Sequence, residues 1–219
     1  MRLLRLPGVF KPPSDSWMLI GVMRERGLAA GADALDLFTG SGVIAVAAGL
    51  AGARSVTAVD ISRRAALCAS VNGRLNGTRV RGLSGDLFAP VAGRRFDLIT
   101  ANPPYVPGAE DELPAVGAAR AWEGGPDGRA LVARFSAEAA GHLAPGGTVL
   151  MVVSSLTGEA ETLDALRRGG LVPEVAARHR GPFGPIVAAR AELLERRGVL
   201  EPGQREEDML VIAASGAPA

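Results

Sequence analysis

Cysteine, histidine, tyrosine and lysine are all scarce in this chain of 219 residues. Cys68 is the only cysteine, so no internal disulfide can form and a reducing compartment is expected. His142 and His179 are the only histidines and lie far apart; with one cysteine they predict no Cys/His zinc site. No uninterrupted apolar run approaches the roughly 18 residues that span a bilayer. Arg2 and Arg5 precede Pro7-Gly8 without an apolar stretch between, which predicts no signal peptide and a cytoplasmic location. Excess charge is also missing. The net charge is +1, so nothing global points to nucleic acid or to a membrane surface.

What is present suits one folded domain. Hydrophobic residues make up 47% and charged residues 21%, ordinary for a soluble globular protein of a length that buries a full core. Ser14-Asp15-Ser16 offers N-cap side chains for a helix carrying Trp17, Leu19, Ile20 and Met23, ended by Gly27 to Gly31. Strands are predicted at 32–38, 55–59, 79–83, 96–101, 148–153, 172–178 and 209–213. Helices at 43–50, 62–76, 127–142 and 158–168 alternate with them, and 185–197 reads as an extra amphipathic helix. Residues 110–125, rich in Gly, Pro and charge, read as an active-site loop. This alternation predicts an α/β fold: a single Rossmann-like domain whose seven-stranded, mostly parallel sheet has helices on both faces. A seventh strand reached without a full crossover would run antiparallel.

Asn102-Pro103-Pro104-Tyr105 follows the apolar strand that ends at Ala101. Neither proline has a backbone N–H to donate, so sheet pairing must stop at Asn102. In open α/β sheets that strand end is where ligands bind. An Asn amide, two rigid carbonyls and an aromatic ring together can grip a planar NH2 group. The plain alternative is a structural turn that ends a strand.

Two further sites precede it. Asp36-Leu37-Phe38-Thr39-Gly40-Ser41-Gly42 joins the first strand to the next helix. Its glycines let backbone approach a ligand, at a helix N-terminus with partial positive charge. Asp60, ending the second strand, suits the two hydroxyls of a ribose. Gly40-Ser41-Gly42-Val43-Ile44-Ala45 also matches a dinucleotide fingerprint. Asp36 argues against that reading, because its carboxylate would sit beside a pyrophosphate; it suits an ammonium, such as the amino-acid end of S-adenosylmethionine (SAM). Gly85-Asp86-Leu87 can pair with the exocyclic amine of an adenine, or be ordinary turn chemistry.

With these residues the sequence resembles class I SAM-dependent methyltransferases, and within them the HemK-type protein-glutamine methyltransferases. Asn102-Pro103-Pro104-Tyr105 matches the family signature, and Ala121-Trp122-Glu123-Gly124-Gly125-Pro126-Asp127-Gly128 followed by Arg134-Phe135 resembles the segment after it. Val9-Phe10-Lys11-Pro12-Pro13-Ser14-Asp15-Ser16 resembles the opening of the short form found in archaea and eukaryotes. The likeness covers most of residues 9–153. It implies that Asp36, Gly40, Gly42, Asp60, Asp86 and Leu87 hold SAM, with Thr39 and Ser16 near its methionine end and Asn102 beside it. It implies that Asn102, Pro103, Pro104 and Tyr105 hold the acceptor amide, with Trp122 as a lid over it or a core anchor under the loop. Phe38 stands where the family usually has the first glycine of its turn, and the helix at 185–197 has no family counterpart. No metal is implied. The expected layout is an N-terminal segment and helix at 1–31 on the cofactor side, a catalytic domain at 32–214, and a mobile tail at 215–219.

The leading expectation is therefore a SAM-dependent N-methyltransferase acting on a glutamine-bearing protein such as a translation release factor, with a small activator subunit as a candidate partner. The same chemistry on an exocyclic amine of a DNA or RNA base is the first alternative. An NAD(P)-dependent oxidoreductase is the second, and a non-catalytic interaction module the third.

Overall fold

A computed structural model describes residues 1–9, 14–110, 112–114 and 117–216. Phe10 to Pro13, within the opening that resembles the short form, lie outside the described residues, as do residues 217–219 of the expected tail.

Helix α1 (Ser14–Glu25) precedes strand β1 (Asp33–Leu37), followed by α2 (Val43–Leu50), β2 (Ser55–Asp60), α3 (Arg63–Leu75), β3 (Val80–Ser84) and β4 (Phe96–Ala101). Then come α4 (Ala130–Glu138), β5 (Leu143–Ser154), α5 (Glu159–Arg168), β6 (Leu171–Pro182), α6 (Pro185–Ala189), α7 (Ala191–Arg196) and β7 (Glu206–Gly216). Strand order is β3-β2-β1-β4-β5-β7-β6, and β7 runs antiparallel to both its neighbours. The antiparallel strand follows from the connection: α6 and α7 stay at one end of the sheet instead of crossing its face.

The two faces of the sheet bury alternate residues of each strand, as the pleat requires. Leu98, Leu150 and Val152 point to the side covered by Leu19, Ile20 and Met23 of α1 and Ile44 and Val46 of α2. Ile99, Val149, Met151 and Val153 point to the other side, against Val132 and Phe135 of α4 and Leu166 of α5. Ser62 caps α3 by accepting from the Ala65 N–H. Cys68 is buried in α3 as packing, its thiol donating to the Leu4 carbonyl.

Several boundaries differ from the sequence reading; β5 starts five residues before the expected 148, β6 runs to Pro182 and β7 starts at Glu206. The helix expected at 127–142 is α4 alone, followed by a 3-10 turn at 139–142. Asp127 stands before it, its carboxylate accepting the Arg129 N–H. The helix expected at 185–197 is two short ones, broken at Arg190 (φ −109°, ψ 3°). Ser215 and Gly216, assigned to a tail, pair with Val172 and Leu171 and belong to β7. An edge ladder offers these residues hydrogen bonds that composition alone does not announce. Among the described residues no helix is long and apolar enough to cross a membrane.

The order of strands reverses between β1 and β4. Their C-terminal ends diverge there, which leaves a crevice at the edge of the sheet. The turns after β1, β2 and β4 all empty into it.

Candidate active site

A cavity of about 690 Å³ occupies this crevice. That lies within the range of small-molecule sites. It has two halves.

One half is made by the turns after β1, β2 and β3. Thr39, Gly40 and Asp60 are on its wall, as is Asp86. The Asp60 carboxylate accepts the Gly40 N–H at 2.9 Å and the Ser62 N–H at 2.9 Å, so it ties the glycine turn to the start of α3. Burial raises its pKa against the pull of those two N–H groups. Two bonds do not exhaust a carboxylate's acceptor capacity, and a diol remains a suitable ligand. Ser41 Oγ is buried on the same wall and has no hydrogen-bond partner among the described residues. The space a Cβ at Gly40 would fill is open. An orphaned hydroxyl, a carboxylate and an open backbone fit a nucleoside-bearing cofactor.

Several expected cofactor contacts are absent from this wall. Asp36 lies beneath it, 2% exposed, its two oxygens taken by Thr39 Oγ1 at 2.5 Å and Thr100 Oγ1 at 2.8 Å. Burial pushes its pKa to about 6. The carboxylate expected to meet an ammonium instead supports the floor of the turn. Gly42 also faces away: a Cβ there would come within 2.6 Å of Ala69 Cα, so its glycine serves the packing of α2 on α3. The Leu87 side chain is buried in the core, while the contact expected of this residue is through its backbone N–H. Asp86 is on the wall but ion-paired to Arg134 at 2.7 Å, with both side chains about half exposed. Phe38 adopts φ +57° and Leu87 φ +45°, the two described non-glycine residues with positive φ. Each costs about 1–2 kcal/mol, and both flank this half. Phe38 thus takes up the left-handed backbone by strain where the family uses glycine.

The other half is built around the turn after β4. Asn102, Pro103, Pro104 and Tyr105 all line it, together with Trp122. The Asn102 amide nitrogen donates to Ser16 Oγ at 3.0 Å, which fixes the amide so that its oxygen is the end left to accept. Ser16, expected at the cofactor, is therefore a partner of Asn102. Tyr105 donates its hydroxyl to Asp15. Burial, then the nearby Asp15 carboxylate, raises the phenol pKa well above its ordinary value.

The segment 121–128 folds directly onto this turn. Val106 N–H donates to the Trp122 carbonyl at 2.8 Å, and Gly124 N–H to the Val106 carbonyl at 2.9 Å. A Cβ at Gly124 would lie 2.6 Å from the Pro104 carbonyl oxygen, and one at Gly128 2.2 Å from that of Tyr105. Gly124 and Gly128 are glycines because the turn's carbonyls pass against them. Trp122 lines the cavity and also packs on Val187, Leu194 and Leu200, so it is both wall and anchor.

Three features were missed in the sequence. Asp15 was read as a helix cap, yet it is 3% exposed and lines the cavity. Glu207 of β7 is buried against Ser154 Oγ on the same wall, its pKa raised by burial. Arg190, at the break between α6 and α7, pairs with Glu123 and donates to the Pro107 carbonyl at 3.2 Å, while Arg197 donates to the Ala109 carbonyl at 2.7 Å. The helix without a family counterpart thus clasps the chain leaving the Pro-Pro turn. An acid inside the apolar-flanked Ser14–Trp17 run was the one available signal; Glu207 and Arg190 had none.

Comparison with known proteins agrees with this architecture. The family model of the methyltransferase small domain matches residues 1–119. A protein of Methanocaldococcus jannaschii, provisionally named a protein N5-glutamine methyltransferase, is 36% identical over 185 residues, 84% of this chain and 92% of that one. A release factor glutamine methyltransferase of Gloeobacter violaceus is 39% identical over 157 residues, 67% of this chain and 54% of its own length. The chain therefore spans nearly all of the archaeal relative and about half of the bacterial one. A solved Mtq2–Trm112 complex from E. cuniculi, described as responsible for methylation of the eRF1 termination factor, superposes with a TM-score of 0.63. It is 18% identical and covers 96% of this chain and 99% of that one, which speaks to the fold.

Proposed function

We infer the reaction from a plain premise: this chain belongs to the methyltransferase small-domain family. It transfers a methyl group from SAM to the side-chain amide nitrogen of a glutamine in a protein, with a translation release factor as the substrate class that several bacterial relatives name. The observation that carries this reading is the orientation of Asn102. Its nitrogen is spent on Ser16, which turns a hydrogen-bond acceptor toward the cavity.

SAM, when bound, supplies a methyl group on a positively charged sulfur. Asp60 would hold its ribose, with Thr39, Gly40 and Ser41 near the rest, and Asp86, whose exposed pairing with Arg134 costs little to rearrange, would meet its adenine.

An amide nitrogen is a poor nucleophile because its lone pair is delocalised into the carbonyl. Asn102 Oδ1 and the Pro103 carbonyl each accept one N–H, which aims the nitrogen and favours the pyramidal geometry it acquires as the methyl group arrives. Tyr105 lies along the amide plane, its ring held by the bond to Asp15. Methylation leaves the nitrogen acidic enough to lose its proton to water. The family excludes hydride transfer as the leading chemistry. The chain carries only +1 net charge, so a base amine is the less favoured acceptor. A small activator protein, as in the E. cuniculi complex, is a candidate partner.

Cell extract incubated with methyl-labelled SAM and this protein tests the acceptor class. Label that protease destroys and nuclease spares is the expected outcome. Label destroyed by nuclease would transfer the reading to a nucleic-acid base.

A further inference from the structure

Asp15 has one carboxylate oxygen that accepts no hydrogen bond among the described residues. It is the second residue of α1, 3% exposed, and it lines the cavity. Oδ2 accepts the Tyr105 hydroxyl, while Oδ1 is buried without a partner among the described residues. A buried carboxylate oxygen left without a donor keeps the cost of its lost hydration. Such groups are rare in folded proteins and call for a specific reason.

The surroundings of Asp15 say which half of the cavity it serves. Ser16, the next residue, holds the Asn102 amide, and Asp15 itself holds Tyr105. Glu207 approaches from β7 on the same wall, and after burial the nearby Asp15 carboxylate helps to raise its pKa. The polar groups of the other half, Asp60 and Gly40, are bonded to each other and to Ser62. Asp36 cannot share the role, since it is 2% exposed and lies off the cavity wall.

We propose that Asp15 is a positioning residue for the acceptor, which fixes Tyr105 with one oxygen and takes an N–H of the incoming glutamine peptide with the other. This rests on the protein-glutamine reading above and names a contact that reading does not contain. The helix start thereby acts as one unit: Ser16 aims the Asn102 amide, and Asp15 sets the Tyr105 ring and holds the peptide alongside. Asp15→Asn keeps the shape and replaces an acceptor with an amide that can no longer serve both bonds in the same way.

The test compares wild type with Asp15→Asn, using a purified translation release factor as the acceptor probe. The expected result is a KM for the release factor raised at least tenfold, with SAM affinity by calorimetry within twofold and an unchanged melting curve in the presence of SAM. Tyr105 is the only tyrosine in the chain, so its ultraviolet titration reads one group. It should titrate at lower pH in Asp15→Asn, a change that a purely structural role for Asp15 does not predict with stability intact. Weaker SAM binding at unchanged acceptor KM would place Asp15 with the cofactor and overturn the proposal, as would an unchanged KM. If Asp15→Asn fails to fold, difference spectroscopy of the wild type decides. A tyrosine-free glutamine peptide should perturb the Tyr105 band; a perturbation by SAM alone, with none from the peptide, overturns the proposal. A wild type that methylates no protein would defeat the functional reading itself, which is a separate outcome.

Discussion

The two halves of the cavity are built in opposite ways. The cofactor half comes from turns that each directly follow a strand, and its polar groups bond mostly to near neighbours in the sheet: Asp36 to Thr39 and Thr100, Asp60 to Gly40 and Ser62. The acceptor half is assembled from five distant pieces: α1, the turn after β4, the 121–128 segment, the α6–α7 pair and β7. Its bonds span long stretches of chain, as in Tyr105 with Asp15 and Arg190 with Glu123. The first half is a feature of the fold, common to many ligands. The second is where a particular acceptor is chosen, because its shape depends on pieces that can change without disturbing the sheet.

This difference can be broken at either half. The largest effect is expected from Asn102→Ala, which should remove methyl transfer by a factor of about a thousand or more while SAM affinity by calorimetry changes only modestly. Transfer near the wild-type rate would refute the role given to Asn102. Gly128→Ala should come next. Its Cβ would meet the Tyr105 carbonyl at 2.2 Å from a backbone with φ +75°. The expected loss is about a hundredfold in kcat/KM for the acceptor, with the melting temperature lowered by only a few degrees. The matching substitution in the other half, Gly42→Ala, should act on the whole fold instead. Its clash is with Ala69 Cα at 2.6 Å in the packing of α2 on α3, and about 2–4 kcal/mol of stability should be lost in chemical denaturation.

Asp36 gives a pH signature of the same sign as the buried carboxylates Asp15 and Glu207 of the acceptor half. Its folded pKa, about 6, is above the ordinary value of 3.8 because burial disfavours the charge. The folded state therefore binds the proton more tightly than the unfolded chain. The resulting stability is fully present below about pH 3.8 and is lost as pH rises to about 6, some 3 kcal/mol in all. Asp36→Asn should remove that slope. Its stability relative to wild type should rise between pH 4 and 6 and then stay level, read by denaturant melts across the range. A parallel pair of curves would contradict the buried, titrating carboxylate. The smallest effect is expected from Arg134→Gln. It breaks an exposed ion pair with Asp86 and should change stability by less than about 1 kcal/mol.

The same contrast explains what could be read from the chain in advance. Strands β1, β2 and β4 and helices α2 and α3 are short apolar runs bounded by glycine or capping residues, and their limits fall within a residue or two of those expected. The Pro-Pro turn was visible because two missing N–H groups act locally. The role of Gly42 was not, because it depends on Ala69 in another helix. Asp36 was placed on the cavity because sequence spacing locates a residue at a strand end without saying which way its side chain turns. Thr100, on the neighbouring strand, decided that. Asp15 could be seen as a cap but not as a buried wall residue, since its burial comes from Tyr105, 90 positions away.

The central claim is a methyl group placed on a glutamine side chain by the acceptor half of this cavity. Mass spectrometry of a purified release factor, incubated with SAM and the protein, tests it most directly. The account predicts one added methyl that fragment ions locate on the side-chain nitrogen of a single glutamine, absent when Asn102→Ala replaces the wild type. A methyl group found on another residue type, or equal methylation by Asn102→Ala, would contradict it.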